Sequence, residues 1–224
     1  MINPEKERKS SSAQIEEILK KYNISPPPSP SFEVTIFDNT GKENFTLMQL
    51  LRLSSDMFLK HPLKELRNAE KRAIYALKHG GRPRSRREVG EIREQFSSKE
   101  EQLRQSIGLI LATIVNNPEG NFFWSKDGLK IEGTAVSPLP EEISWWGWVY
   151  NLFQKGKGNF LVTEDGRFDS RIYAFFLMRR RAHFGEIGSE ELGKFTAELA
   201  LLVGEEEGFI FREIARLFPP KRSS

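Results

Sequence analysis

FEVTIFDNTGKENFTLMQLL, residues 32–51, contains the change of period that decides the fold. Phe32, Val34 and Ile36 alternate with Glu33 and Thr35, the two-residue repeat of a strand with one buried face. Asn39-Thr40-Gly41 closes that strand with a turn. From Thr46 the spacing becomes helical, and Thr46 can cap a helix carrying Leu47, Leu50, Leu51 and Phe58. Strand and helix in one stretch point to the α+β class.

Downstream the pattern extends this reading. Pro62 suits the first turn of a second helix, with Leu63, Leu66, Ile74 and Leu77 as its inner face. Gly80-Gly81-Arg82-Pro83 breaks it. Ser98-x-x-Glu101 is a capping-box pattern ahead of Leu103, Ile107, Ile110, Leu111 and Ile114, and Asn116-Asn117-Pro118 stops that helix. Phe122-Phe123-Trp124 and Leu129-Lys130-Ile131 flank Asp127-Gly128, a hairpin signal. The loop Ser137-Pro138-Leu139-Pro140 precedes the aromatic segment from Trp145 to Tyr150, assigned to the β-like middle of the chain. A basic glycine loop, Lys155 to Gly158, leads to Phe160-Leu161-Val162 and the turn Asp165-Gly166. Helices are expected over 170–183, 189–203 and 205–218. The expected fold is therefore α+β, a small antiparallel sheet packed with five to six helices, in a single globular domain over 32–224.

Upstream lies a different composition. Lys6, Arg8 and Lys9 with Ser10 to Ser12 form a basic head, and Pro26-Pro27-Pro28-Ser29-Pro30 holds the chain extended. A short helix over 13–22, with Ile15, Ile18 and Leu19 on one face, is compatible with this stretch. Residues 1–31 are expected to be a disordered, basic and proline-rich arm.

Composition excludes several classes. The 224 residues carry no cysteine, so disulfides and thiolate metal sites are out. No apolar run is long enough for a membrane span, and no secretory signal is visible. His61, His79 and His183 lack metal-ligand spacing, and no dinucleotide, Walker A or nucleophile motif occurs. No catalytic residue, metal or cofactor is assigned. The formal charge of +3 is modest, so it matters only where it is clustered.

Three clusters qualify. Lys78, Arg82, Arg84, Arg86 and Arg87 fall within ten residues among glycine and proline, either as a phosphate-binding loop or as a solvated connection. Arg179, Arg180 and Arg181 follow the apolar run from Tyr173 to Met178. At a helix C-terminus they complement the macrodipole. At a membrane they would meet headgroups, with Phe175, Phe176 and Leu177 against lipid. Trp145, Trp146 and Trp148 form either a buried sheet core or an exposed aromatic patch, Trp146 and Trp148 sharing one face if the segment is a strand. The acidic runs Glu141-Glu142 and Glu205 to Glu207 read as solvated groups and as a helix first turn.

The layout resembles the matrix proteins of rhabdoviruses. The likeness rests on Val34-Thr35-Ile36 with Asn39-Thr40-Gly41, then Phe45, Leu47, Leu50, Leu51 and Asp56-Met57-Phe58. It continues in Trp124, Ile131-Glu132-Gly133 and Glu141-Glu142-Ile143-Ser144-Trp145. The late motifs of that family are PPxY or P(S/T)AP, and no tyrosine follows Pro26, Pro27, Pro28 and Pro30 at the required place. The resemblance implies a non-enzymatic structural protein of the virion that binds anionic lipid at the inner face of the host membrane. It further implies nucleocapsid binding, self-association and a role in budding. A host reader of proline motifs is a further expected partner, and host cytoplasm or nucleus the compartment. The alternative is a nucleic-acid-binding accessory protein of a virus or mobile element, using the same basic loop and the tryptophans. An enzyme whose site leaves no local motif is the remaining class.

Overall fold

The computed structural model describes residues 4–27, 33–38, 41–52, 62–79, 86–125, 128–132, 135–204 and 208–219. The chain forms two compact units, Ser31–Gly158 and Met1–Pro30 with Asn159–Ser224. The expected division into an arm (1–31) and one domain (32–224) is thereby corrected: the N-terminal stretch belongs to the unit built from the C-terminal third.

In the unit Ser31–Gly158, β1 (Glu33–Asp38) and β2 (Gly41–Thr46) form a hairpin. β3 (Asn121–Ser125) and β4 (Gly128–Glu132) form another, where a hairpin was expected, although Gly128 is not in the turn but in β4 opposite Ser125; residues 126–127 lie outside the described residues. The four strands lie in the order β2-β1-β3-β4. The α+β class is the expected one. The sheet is mixed, however, because β1 and β3 pair in parallel, Ile36 opposite Phe122. The long helical excursion between them permits this, since a parallel pair needs a crossover and not a tight turn.

Alternation sorts the two sheet faces. Val34, Ile36 and Phe122 point inward and are buried with Leu50 and Ile114. Leu50 belongs to α2 (Leu47–Arg52), whose start is the predicted cap in reciprocal form. Thr46 Oγ1 accepts from the Gln49 N–H at 3.1 Å, and the Thr46 N–H donates to Gln49 Oε1 at 2.7 Å.

α3 (Pro62–His79) begins at the expected proline and packs against α4 (Arg86–Asn116). α4 is 31 residues, about 45 Å long. The expected start at Ser98 is wrong, because Ser98 lies inside α4. Val89, Ile92 and Phe96 continue the helical spacing upstream and are half-buried, so nothing ends the helix there.

The tryptophan segment lies in α5 (Pro140–Gln154), which corrects the β-like assignment. Pro140 starts the helix, and the Glu142 carboxylate accepts from the Leu139 N–H at 2.7 Å and from Asn116 Nδ2 at 2.9 Å. Glu142 is thus half-buried and structural where solvation was expected. α4 and α5 cross with their backbones close. A Cβ on Gly108 would sit 2.9 Å from the Gly147 nitrogen, and one on Gly147 would strike the Arg104 carbonyl.

In the other unit, α6 (Ser170–Phe184) is the core helix, with Ala174, Phe176 and Met178 fully buried. Asp169 caps it by accepting from the Arg171 N–H at 2.8 Å, and Gly185 ends it in the left-handed region at φ 80°. α7 (Ser189–Ala200) and α8 (Gly208–Leu217) pack on it. α1 (Pro4–Lys21) packs on α6 and α7 and buries Ile15, Ile18 and Leu19, with Ile24 just beyond its end. The apolar face read from the sequence is enough to dock this stretch, so disorder is corrected for residues 13–27.

A polar latch sits beside that apolar seam. Lys21 Nζ lies 2.6 Å from Glu198 Oε1, and the Tyr22 hydroxyl donates to the same oxygen at 3.1 Å. The Lys21 hydrogen bond holds the Glu198 carboxyl below its ordinary value. A carboxylate depressed in the folded state stabilises above its unfolded value and loses that contribution as pH falls through the folded one. Amide-exchange protection over 15–24 is therefore expected to weaken as the pH drops below the ordinary carboxylate range. Glu198→Gln should remove that part of the acid response; an unchanged response would show that the latch does not hold α1.

Candidate functional site

Lys6, Arg8 and Lys9 lie in the first half of α1. Lys78 lies in the last turn of α3, while Arg86 and Arg87 open α4. Arg87 is exposed, and its Nε donates to Glu91 Oε1, one turn on, at 2.9 Å. Exposed pairs of this kind contribute little to stability. Arg82 and Arg84 lie outside the described residues, as do Gly80 to Pro83, His61, Phe32, the segment Asp56-Met57-Phe58, and Glu205 to Glu207.

Charge is unevenly divided between the units. Ser31–Gly158 carries 19 basic and 16 acidic residues, and the other unit carries 15 of each. Residues 78–87 hold five basic and no acidic residues, so the rest of their unit has a net charge of −2. The whole cationic excess of the protein therefore falls within residues 78–87, which span the end of α3, the start of α4 and the stretch that joins them.

Arg179, Arg180 and Arg181 have a different fate, and their assignment to lipid or nucleic acid is corrected. Arg179 Nη2 donates to the carbonyls of Ala215 at 2.8 Å and Phe218 at 2.7 Å, at the end of α8. Arg181 Nη1 donates to the Tyr22 carbonyl just past α1, at 3.3 Å. Arg171, also on α6, donates to the Leu202 carbonyl just past α7 at 2.7 Å. Three guanidinium groups of one helix thus satisfy the orphan carbonyl ends of three others, where positive charge also suits the helix dipole. Arg180 is buried, 3.5 Å from Glu186 and over the Phe184 ring at 4.7 Å. Burial pushes the Arg179 guanidinium below its ordinary value. Phe175, Phe176 and Leu177, considered for lipid contact, are buried too.

The aromatic patch is likewise corrected. Trp145, Trp146 and Trp148 are 1%, 1% and 4% exposed, too buried to form a stacking platform. Helical spacing turns Trp145 toward Trp148, ring centroids 5.4 Å apart. Pro26 and Pro27 follow α1, whereas Pro28 and Pro30 lie outside the described residues.

His79 ends α3, and His183 Nδ1 lies 2.7 Å from the Pro219 carbonyl. Among the described residues no cluster of ligating side chains could hold a metal, and no helix is long and apolar enough to cross a membrane. A shallow hollow of about 230 Å³ between α6, α7 and α8 is lined by Phe175, Thr196, Leu199, Ala200, Val203 and Phe211. It brings no titratable groups together.

One further surface lies on the sheet. Phe37 and Phe123 lie on the sheet face opposite Val34, Ile36 and Phe122, and Phe123 is 39% exposed. Alternation alone puts Phe37 out of step with Val34 and Ile36, which is a usable signal. Its pairing with Phe123 depends on a parallel register across more than eighty residues, which no local pattern carries.

The chain matches no protein-family model, no curated protein and no solved structure.

Proposed function

We propose that this protein is a non-enzymatic, matrix-type assembly protein that binds anionic membrane through the basic connection between α3 and α4. One observation carries the reading: the entire cationic excess lies between Lys78 and Arg87, joining two long helices. Anionic lipid attracts each Lys or Arg near its surface by about 1 kcal/mol, so five together can hold a peripheral protein only weakly. Self-association multiplies such a site through avidity and gives the protein its assembly role. The resemblance to rhabdovirus matrix proteins points the same way. The nucleic-acid alternative has lost its aromatic component, since the tryptophans are buried.

The test is flotation with phosphatidylserine-containing liposomes, run beside an RNA gel shift. Replacing Arg82, Arg84, Arg86 and Arg87 by Ser should leave the melting temperature unchanged. Liposome binding should fall by at least about tenfold, within the roughly 4 kcal/mol that four such charges can contribute. A variant that floats like the wild type removes these arginines from membrane binding; loss confined to RNA transfers them to nucleic acid. Sedimentation should show concentration-dependent oligomers of the full chain. Deleting residues 1–31 would strip Ile15, Ile18 and Leu19 from α6 and α7, so that truncation tests folding and not assembly.

A further inference from the structure

Register places one residue from each strand in a single row on the sheet face opposite Val34, Ile36 and Phe122. Phe37 pairs with Lys42 of β2 and with Phe123 of β3, and Phe123 pairs with Lys130 of β4. The row therefore reads Lys42–Phe37–Phe123–Lys130, in the order of the strands. With strands about 4.8 Å apart, its two lysines stand about 14 Å from each other. Both lysines are exposed and Phe37 is half-buried. Next to it on the same face Thr35 pairs with Asn44 and Asn121 with Glu132, with Thr35 Oγ1 3.0 Å from Asn44 Oδ1.

We infer that this row is a second membrane contact, two aromatic rings entering the headgroup–acyl boundary between two lysines that meet anionic headgroups. The inference rests on the membrane reading above and adds an apolar contact to it. Charge complementarity selects the occupant, because both ends of the row are cationic and its centre is apolar. A lipid surface offers that combination: anionic headgroups above an apolar layer that accepts aromatic side chains. Ring geometry argues against bases as the occupant. The Phe37 and Phe123 centroids are 5.0 Å apart with planes 18° from parallel, so each ring covers part of the other. Lys42 Nζ sits 5.8 Å from the Phe37 centroid. Phe37 has little free face on which a base could stack, whereas its edge can still enter lipid. Glu132 in the adjacent row and Glu33 one row beyond it, both exposed on this face, oppose an anionic surface, so the contact is confined to the Lys42–Lys130 row and its edge of the sheet.

Flotation with phosphatidylcholine vesicles, with and without phosphatidylserine, tests the row using the full-length protein. Lys42→Gln and Lys130→Gln change only exposed side chains, and each should weaken binding to the anionic vesicles about fivefold. Phe123→Ser should weaken it at least fivefold, and this loss should persist at high salt, where the lysine effect fades. Glu132→Gln should strengthen it. Thermal melts confirm that each variant is folded, and the lysine variants carry the test if Phe123→Ser is not. If the wild type floats and the Arg82/84/86/87 variant does not, while all row variants float normally, the row is not a contact and the membrane reading survives. A wild type that fails to float overturns both. Row variants that lose only oligonucleotide binding would assign this face to nucleic acid and overturn the lipid inference.

Discussion

Gly108→Ala should destabilise the protein by about 3 kcal/mol or more, whereas Gly90→Ala in the same helix should stabilise it. Both glycines lie in α4, where alanine is the better helix former by about 0.8–1 kcal/mol. At Gly90 a new methyl meets nothing within 4 Å, so the propensity gain stands alone. At Gly108 the methyl would overlap the Ile143 carbonyl oxygen and lie 3.0 Å from its carbon and 2.9 Å from the Gly147 nitrogen. All three are backbone atoms of α5, so no rotamer change relieves the clash. The helices must separate, and the buried faces of Trp145, Trp146 and Leu111 open with them. A loss of that size lowers the melting temperature by roughly 10 °C or more. Thermal melts of the two variants give opposite signs if the crossing is this close. A Gly108→Ala protein that melts with the wild type would mean that the two backbones do not meet there.

That crossing shows where sequence reasoning stopped. A glycine inside a helix looks like a weakness until its neighbour is known, and the neighbour lies some forty residues away. Local signals have short-range causes: the Thr46 cap, the Pro62 start, the β3–β4 hairpin and the left-handed Gly166 turn. The tryptophan segment failed because an apolar run buried on all sides carries no period; the eight buried residues from Trp145 to Leu152 fit strand or helix equally. The start of α4 failed because Ser98-x-x-Glu101 is also an ordinary solvated helix face. The arm failed because three apolar residues on a polar helix look too few to dock until Phe195 is placed against Tyr22, with centroids 5.1 Å apart. Of the candidate site, the charge density of 78–87 was legible in one dimension, and the roles of Arg179 and Arg181 were not. A basic triplet after an apolar run is the same string whether its partners are lipid phosphates or the carbonyl ends of other helices.

Arg179→Ala distinguishes those partners with a large expected effect. Its two bonds, to the Ala215 and Phe218 carbonyls, are charge-assisted, and such bonds contribute about 1.5–3 kcal/mol each. Removing the guanidinium leaves both acceptors at the end of α8 without that donor and takes a cation from the negative end of the helix dipole. A loss of about 3 kcal/mol or more is expected, with amide protection falling first across 208–218. Arg179→Met keeps the packing of the aliphatic stem and should lose nearly as much, because the cost lies in the hydrogen bonds and not in the stem. Arg179→Lys should fall between, since one ammonium cannot reproduce the planar fork that spans two carbonyls. Liposome binding measured below the melting temperature should be unchanged in all three. The Arg82/84/86/87 variant should behave in the opposite way, keeping its stability and losing its binding. If Arg179→Ala melts normally but no longer floats, the arginine faces lipid, and α8 must find its cap elsewhere.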